Sequence, residues 1–318
     1  MTKDMTLIED MVLLKVSVRA WLGTVKNDKA ARDAEESSGA DVGTVDATVK
    51  SLAEDYAGPI RHARSIIRAY WYGRTIPWLD GGYRIVAATE YQSLMDGLAD
   101  LIQKHWEGPV NKLLSEYDQA REAARSALGE LFSPEKFPSK DDMAEMYDVD
   151  IFRTSVQNPQ DIRISGMSEE EIQKISDDLK SKYETQINNA VQMVMDRIRI
   201  ALRDVAQRME KEPKGTKYKG LWDNLNGLVD TLPGLNITEN AEIDRAIQRI
   251  KKEISSVSVD DLRDNAKVRK AVKKAALSIT GEMDGKKGKD PTKAIKKSGV
   301  NVSTGSSSVS EDMGKMFK

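Results

Sequence analysis

Residues 168 to 211 place the strongest constraint on what this chain can fold into. Ser168-Glu169-Glu170-Glu171 has the form of a capping box, in which the serine hydroxyl accepts the N3 amide and the N3 carboxylate reaches back, so a helix starts here. The acidic run also suits the positive end of the helix dipole. Ile172, Ile175, Leu179, Tyr183, Ile187, Ala190, Val194, Ile198, Leu202, Val205 and Met209 then recur at steps of three and four, one apolar stripe along a long helix. Pro213 and Gly215 mark its end. At about 1.5 Å per residue, roughly 40 residues span about 60 Å, and such a rod needs an equally long partner. The mean step, about 3.7, favours a nearly straight bundle helix over a left-handed heptad coiled coil.

The candidate partner is 89–132. From Thr89, read as an N-cap, Leu94, Leu98, Leu101 and His105 lead to Gly108-Pro109, and Leu113, Tyr117, Ala120, Ala124, Leu128 and Leu131 carry the stripe onward. Gly-Pro predicts a kink without an end, because the periodicity resumes at once. The fold expected is therefore mainly α, of α+β type: a long antiparallel helix pair, 89–132 with 168–211, carrying a small antiparallel β-sheet.

Strands are expected on either side of the first of these helices. In Met11 to Trp21, Val12, Leu14, Val16 and Val18 alternate with Leu13, Lys15, Ser17 and Arg19, the period of a half-buried strand. Tyr83 to Ala87 follows the turn signal Asp80-Gly81-Gly82. Further strand-like pieces lie at Val149 to Ser155 and Ile162 to Ile164. Residues 26–44 read as a mobile loop. A helix is expected from near Thr44, interrupted at Gly58-Pro59 and resumed from Ile60 to Tyr72. Shorter helices are expected at Tyr218 to Leu232, Asn240 to Ser255, and from Ser258 to near Thr280. Beyond Gly281 the composition turns to Lys, Gly and Ser, which predicts a disordered tail with Lys286, Lys287, Lys289, Lys293, Lys296 and Lys297 as a cationic arm. The domain reading is 1–212 as an elongated helical body, 213–280 as a helical segment and 281–318 as the tail.

Composition excludes several function classes. The net charge of −2 gives no global attraction to nucleic acid or to an anionic membrane. With no cysteine there is neither a thiol nucleophile nor a thiolate metal site. No apolar run approaches a membrane span, and the first residues lack the features of a signal peptide, so a cytoplasmic protein is expected. No phosphate-binding glycine loop, HExxH, GxSxG or EF-hand loop is present. The two histidines, His62 and His105, fall in separate helices and read as helix-face residues. Asp141-Asp142 and Asp148-x-Asp150 read as loop charges. A non-enzyme without cofactor or metal is the expectation.

One local feature departs from this plain background. No acid lies between Asp55 and Asp80, and within that window Arg61, Arg64, Arg68 and Tyr72 fall at i, i+3, i+7 and i+11 of a helix, with Arg74 close behind. Guanidinium groups beside aromatic rings suit phosphate contact and base stacking, especially on single strands. The competing account is that these arginines pair with an acidic face such as Glu169, Asp177 and Asp178.

The stretch Trp78-Leu79-Asp80-Gly81-Gly82-Tyr83-Arg84-Ile85-Val86, followed by a long helix ending near Leu114-Ser115-Glu116-Tyr117-Asp118, resembles a family of uncharacterised phage and bacterial proteins. The resemblance covers residues 7–210. Members of that family are often encoded beside MoxR-type AAA+ ATPases and von Willebrand factor A-like proteins. The resemblance thus implies a phage-type interaction or scaffold protein, partner of an ATPase assembly and resident in the host cytoplasm if phage-encoded. It supplies no catalytic residues. The alternative read from the residues themselves is a single-stranded nucleic-acid-binding accessory protein acting through Arg61, Arg64, Arg68, Tyr72 and Arg74.

Overall fold

The computed structural model describes residues 8–79, 81–210 and 217–284. It is mainly helical with a small antiparallel sheet, as the sequence pattern predicts. The chain divides into two compact units, Met11–Val156 and a second that joins Met1–Asp10 to Gln157–Lys318.

The N-terminal unit begins with β1 (Met11–Arg19), β2 (Thr24–Lys26), α1 (Asp28–Ser38), β3 (Thr48–Lys50) and α2 (Glu54–Arg74). Next come β4 (Ile76–Pro77), β5 (Arg84–Ala87), α3 (Ala88–Leu101), α4 (Gly108–Ser115), α5 (Tyr117–Leu128), α6 (Lys140–Glu145) and β6 (Asp148–Ser155). The main sheet has the order β4-β5-β1-β6, antiparallel throughout. The alternation in β1 is realised: Leu14 is fully buried and Val12, Val16 and Val18 pack on the same core. That core is completed by Ile60, Ile67 and Trp71 of α2 and by Leu94, Leu98, Trp106 and Leu113. Burial of each such side chain contributes about 1.5–3 kcal/mol. Gly97 lets α2 approach α3, because a Cβ there would fall 1.8 Å from the Tyr70 hydroxyl.

Several expectations in this unit are corrected. Residues 28–38 form α1 in place of a loop: Asn27 caps it by accepting from the Ala30 amide at 2.8 Å, and Gly39 ends it with φ +68°. Its inner face presents only alanines and Glu35, so hydropathy conceals it. The chain near Thr44 forms β3, paired with β2, and not a helix start. Pro59 does not interrupt α2. Its ring is exposed, so the Asp55 carbonyl that loses a donor faces water, and Gly58 has no Cβ to clash with the proline ring. At Gly108-Pro109 the helix does deform: Ile102–Glu107 form a π-helical turn between α3 and α4, which absorbs the missing proline donor. Thr89 is not the cap of α3, whose N-cap is Ala87. Ile162–Ile164 forms no strand.

The C-terminal unit contains α7 (Glu169–Glu210), α8 (Lys217–Leu235), α9 (Ala241–Ile250), α10 (Val259–Asp264) and α11 (Ala266–Asp284). The capping box is present: the Ser168 amide donates to Glu171 Oε2 at 2.9 Å, and the Glu171 amide donates to Ser168 Oγ at 3.3 Å. A long antiparallel helix pair exists, but 89–132 is not the partner of α7. That stretch belongs to the other unit and is broken at the π turn and at Glu116. Alpha7 packs instead along α11. Arg199 meets Asp284 at 2.9 Å while Glu210 pairs with Lys273, so the two helices run antiparallel. Val272, Ala276, Ile279 and Met283 of α11 close this core. The helix expected from Ser258 to Thr280 is split at Asn265, which caps α11 by accepting from the Lys267 amide, and it continues to Asp284. Pro213, Gly215 and the tail lysines lie outside the described residues. No described helix is long and apolar enough to cross a membrane.

Candidate functional site

The arginine-rich segment is the solvent side of α2. Ala57, Ile60, Ala63, Ile67 and Trp71 recur at steps of three and four and are buried, which leaves Arg61, Arg64, Arg68 and Tyr72 as a strip flanking that face. Arg61 donates to Glu54 Oε1 at 2.7 Å, two turns earlier in the same helix. Arg64 and Arg68 have no carboxylate partner among the described residues, and the Arg64 Nε is buried without a hydrogen bond. Tyr72 is 40% exposed and stacks on Trp71, ring centroids 5.6 Å apart. Arg74 does not join this strip. Two residues past Tyr72 is about 200° around a helix, and its guanidinium lies over the Tyr70 ring at 3.9 Å.

Two of the acids that the sequence offers as partners for these arginines are engaged locally. Asp177 accepts from Gln173 and Asp178 pairs with Lys182, each within its own helix. Asp142 accepts the Ser139 hydroxyl at the start of α6, and Asp148 pairs with Arg19 at 2.6 Å, so both acids serve caps and strand pairs. Among the described residues no three His, Cys, Asp or Glu side chains group as a metal site.

Arg84 is a residue that sequence reasoning passed over. It is buried on β5, where its Nε donates to Thr75 Oγ1 at 2.6 Å and its Nη2 to the carbonyls of Thr75 and Tyr72 at 2.6 and 3.2 Å. The guanidinium lies 4.6 Å from the Tyr72 ring and 5.5 Å from that of Trp71. It holds the negative C-terminal end of α2 on the sheet and fixes the angle at which Tyr72 meets solvent. The available signal was an arginine between Tyr83 and the apolar run Ile85-Val86-Ala87.

A second surface is the sheet edge. Beta6 pairs along its whole length with β1, from Ser155 opposite Val12 to Asp148 opposite Arg19. Its other side has no strand neighbour, and none of its residues makes a further backbone hydrogen bond among the described residues. The run Asp-Val-Asp-Ile-Phe-Arg-Thr-Ser holds no proline, glycine or lysine, and its register with β1 is free of bulges, so Asp148, Asp150 and Arg153 are the charges it carries against unwanted pairing. Val149 and Ile151 turn toward the helices and pack on the core, whereas Phe152 on the opposite face is 47% exposed. Phe152 meets Tyr83 edge to face at 6.0 Å, and Lys15 Nζ lies 5.1 Å from the same tyrosine ring. Arg153 donates to the Tyr91 hydroxyl at 3.1 Å.

The two units thus define a mainly helical protein with a four-stranded antiparallel sheet whose β6 edge has no strand neighbour among the described residues. Compared with protein-family models, curated proteins and solved structures, the chain yields no match.

Proposed function

We propose that this chain is a non-enzymatic interaction protein that binds another protein chain by adding a strand to β6. The observation that carries the reading is the bulge-free edge of Asp148–Ser155, without a strand neighbour among the described residues and with Phe152 exposed at its middle. Strand addition draws affinity from main-chain hydrogen bonds and specificity from alternate side chains. A phage-type scaffold role beside an AAA+ ATPase is the setting we favour, on the resemblance of residues 78–86 and 114–118 alone. Pull-down from the native host with wild-type and Phe152→Lys chains tests the reading: partner retention is expected only for wild type, and equal retention would contradict it.

A second reading, single-stranded nucleic acid on Arg61, Arg64, Arg68 and Tyr72, is favoured by Arg64 and Arg68, which have no carboxylate partner among the described residues, beside an exposed ring. Binding of a fluorescent oligonucleotide should then weaken steeply with salt, about 0.7 counterions being released per neutralised phosphate. Absence of any salt-dependent signal at micromolar protein would end this reading.

A further inference from the structure

We propose that the strand added to β6 is β6 of a second copy of this chain, joined about a two-fold axis at Phe152 into a continuous eight-stranded antiparallel sheet. The inference rests on the reading of β6 as a binding edge and commits it to one occupant.

Register decides how two copies of β6 can pair. An isologous antiparallel pair needs its two-fold perpendicular to the sheet, which maps each face of the strand onto the same face of its copy. Directly opposed residues share a face, so the axis must pass through a residue and not between two. Each candidate position can be checked against the charges of β6. An axis at Asp150 opposes two carboxylates, and one at Arg153 opposes two guanidinium groups; both are destabilising. An axis at Ile151 sets the Asp150 carboxylate against the Phe152 ring. An axis at Phe152 opposes the two phenyl rings, sets Asp150 against the Thr154 hydroxyl of the copy, and sets Ile151 against the aliphatic stem of Arg153. Among these four central registers only this last opposes neither like charges nor a carboxylate to a ring, and it extends the Tyr83–Phe152 edge-to-face contact into a row of four rings across the axis; an axis at Thr154 also opposes no like charges but pairs only residues 153–155 of β6.

The remaining charges do not oppose it. Asp148 is occupied by Arg19 and Arg153 by the Tyr91 hydroxyl, so neither must be stripped of water without a partner. Pairing would also satisfy the outward amides and carbonyls of residues 149–155, which otherwise remain open to any extended chain.

The absence of cysteine makes the test direct. Opposed Cα atoms on neighbouring antiparallel strands lie about 4.5–5.5 Å apart, within the span of a disulfide. Phe152→Cys should therefore cross-link to itself under mild oxidation. Thr154→Cys should not, because its copy lies about 13 Å away along the strand, yet it should cross-link to an Asp150→Cys chain. Wild type should scatter light as a dimer and Phe152→Lys should weaken dimerisation at least 100-fold, with an unchanged helical circular dichroism spectrum. A wild-type protein that is monomeric at about 100 µM (~3.5 mg/ml for 35.4 kDa), with no Phe152→Cys cross-link, overturns the proposal; cross-linking of Thr154→Cys to itself overturns the register. Failure of self-pairing leaves the broader interaction reading standing only if wild-type chains still retain a host protein that Phe152→Lys chains lose.

Discussion

The two units place their cations differently. In the N-terminal unit Lys15 lies over Tyr83, Arg74 over Tyr70, Lys112 over Tyr56, and Arg84 over Trp71 and Tyr72. The N-terminal unit has carboxylate pairs too, such as Arg19 with Asp148 and Arg61 with Glu54, but they are exposed; in the C-terminal unit three half-buried cations meet carboxylates. Arg249 bridges Glu253 and Glu282, Arg199 bridges Asp196 and Asp284, and Lys273 holds Glu210. The chemistry separates cohesion from availability. A carboxylate cancels the charge it binds and ties two helices together, whereas a ring attracts a cation without cancelling it. The C-terminal unit spends its charges on holding α7, α9 and α11 together. The N-terminal unit, Arg84 apart, keeps several cations against aromatic rings at its surface, beside a sheet edge with no strand neighbour among the described residues.

The largest effect is expected where a cation both contacts rings and carries hydrogen bonds. Arg84→Ala leaves the Thr75 hydroxyl and the carbonyls of Thr75 and Tyr72 without this donor in a buried site, and it should cost about 3 kcal/mol in urea unfolding. A loss below about 1 kcal/mol would mean that the ring contacts are incidental. Arg249→Ala removes the bridge from the turn after α9 to α11, and a loss of about 1–2 kcal/mol is expected, smaller in high salt. A salt-independent loss would place the Arg249 contribution in packing and blur the contrast between the units.

Acid should strike the C-terminal unit first. Hydrogen bonds from Ser168, Lys273 and Arg249 hold the carboxyls of Glu171, Glu210 and Glu253 below the usual value of 4.5. A depressed folded-state pKa gives stability that is complete above 4.5 and is lost as pH falls through the folded values. Asp204, pushed up by burial, acts in the opposite sense, but it is one group against three. In the N-terminal unit only Glu130, held by Lys29, shows the same depression among the described residues. Pepsin at pH 3 should therefore cut within 169–284 before it cuts within 11–156, and the reverse order would contradict the assignment.

How much of this was legible in the sequence depended on whether a signal was local. The capping box at Ser168 and Glu171, the alternation in β1 and the turn before β5 are each written in a few adjacent residues, and each is found as read. The partner of α7 is not local: the stripe of 89–132 and that of 266–284 both fit it, and length alone favoured the wrong one. Alpha1 stayed hidden because its inner face is alanine. The site was legible in part. Spacing placed Arg61, Arg64, Arg68 and Tyr72 on one strip, but it could not remove Arg74, which turns to Tyr70, or reveal Arg84, whose role depends on β5 lying against the end of α2. The openness of β6 follows from strand order, which no residue pattern specifies.

The smallest effect on stability is expected on the α2 strip itself. Arg68→Glu, at an exposed position without a carboxylate partner, should change unfolding by less than about 0.5 kcal/mol, while abolishing any salt-dependent binding of an oligonucleotide. Unchanged oligonucleotide binding would remove the strip from consideration.

Amide hydrogen exchange across Asp148–Ser155 tests the binding edge most directly, because alternate amides of a lone edge strand point to water while the rest donate to β1. We predict that at high protein concentration the outward amides of β6 are protected as well as the inward ones, and that they lose this protection on dilution while β1 keeps its own. Outward amides that exchange as open-edge groups at every concentration, and in the presence of host extract, would contradict the account.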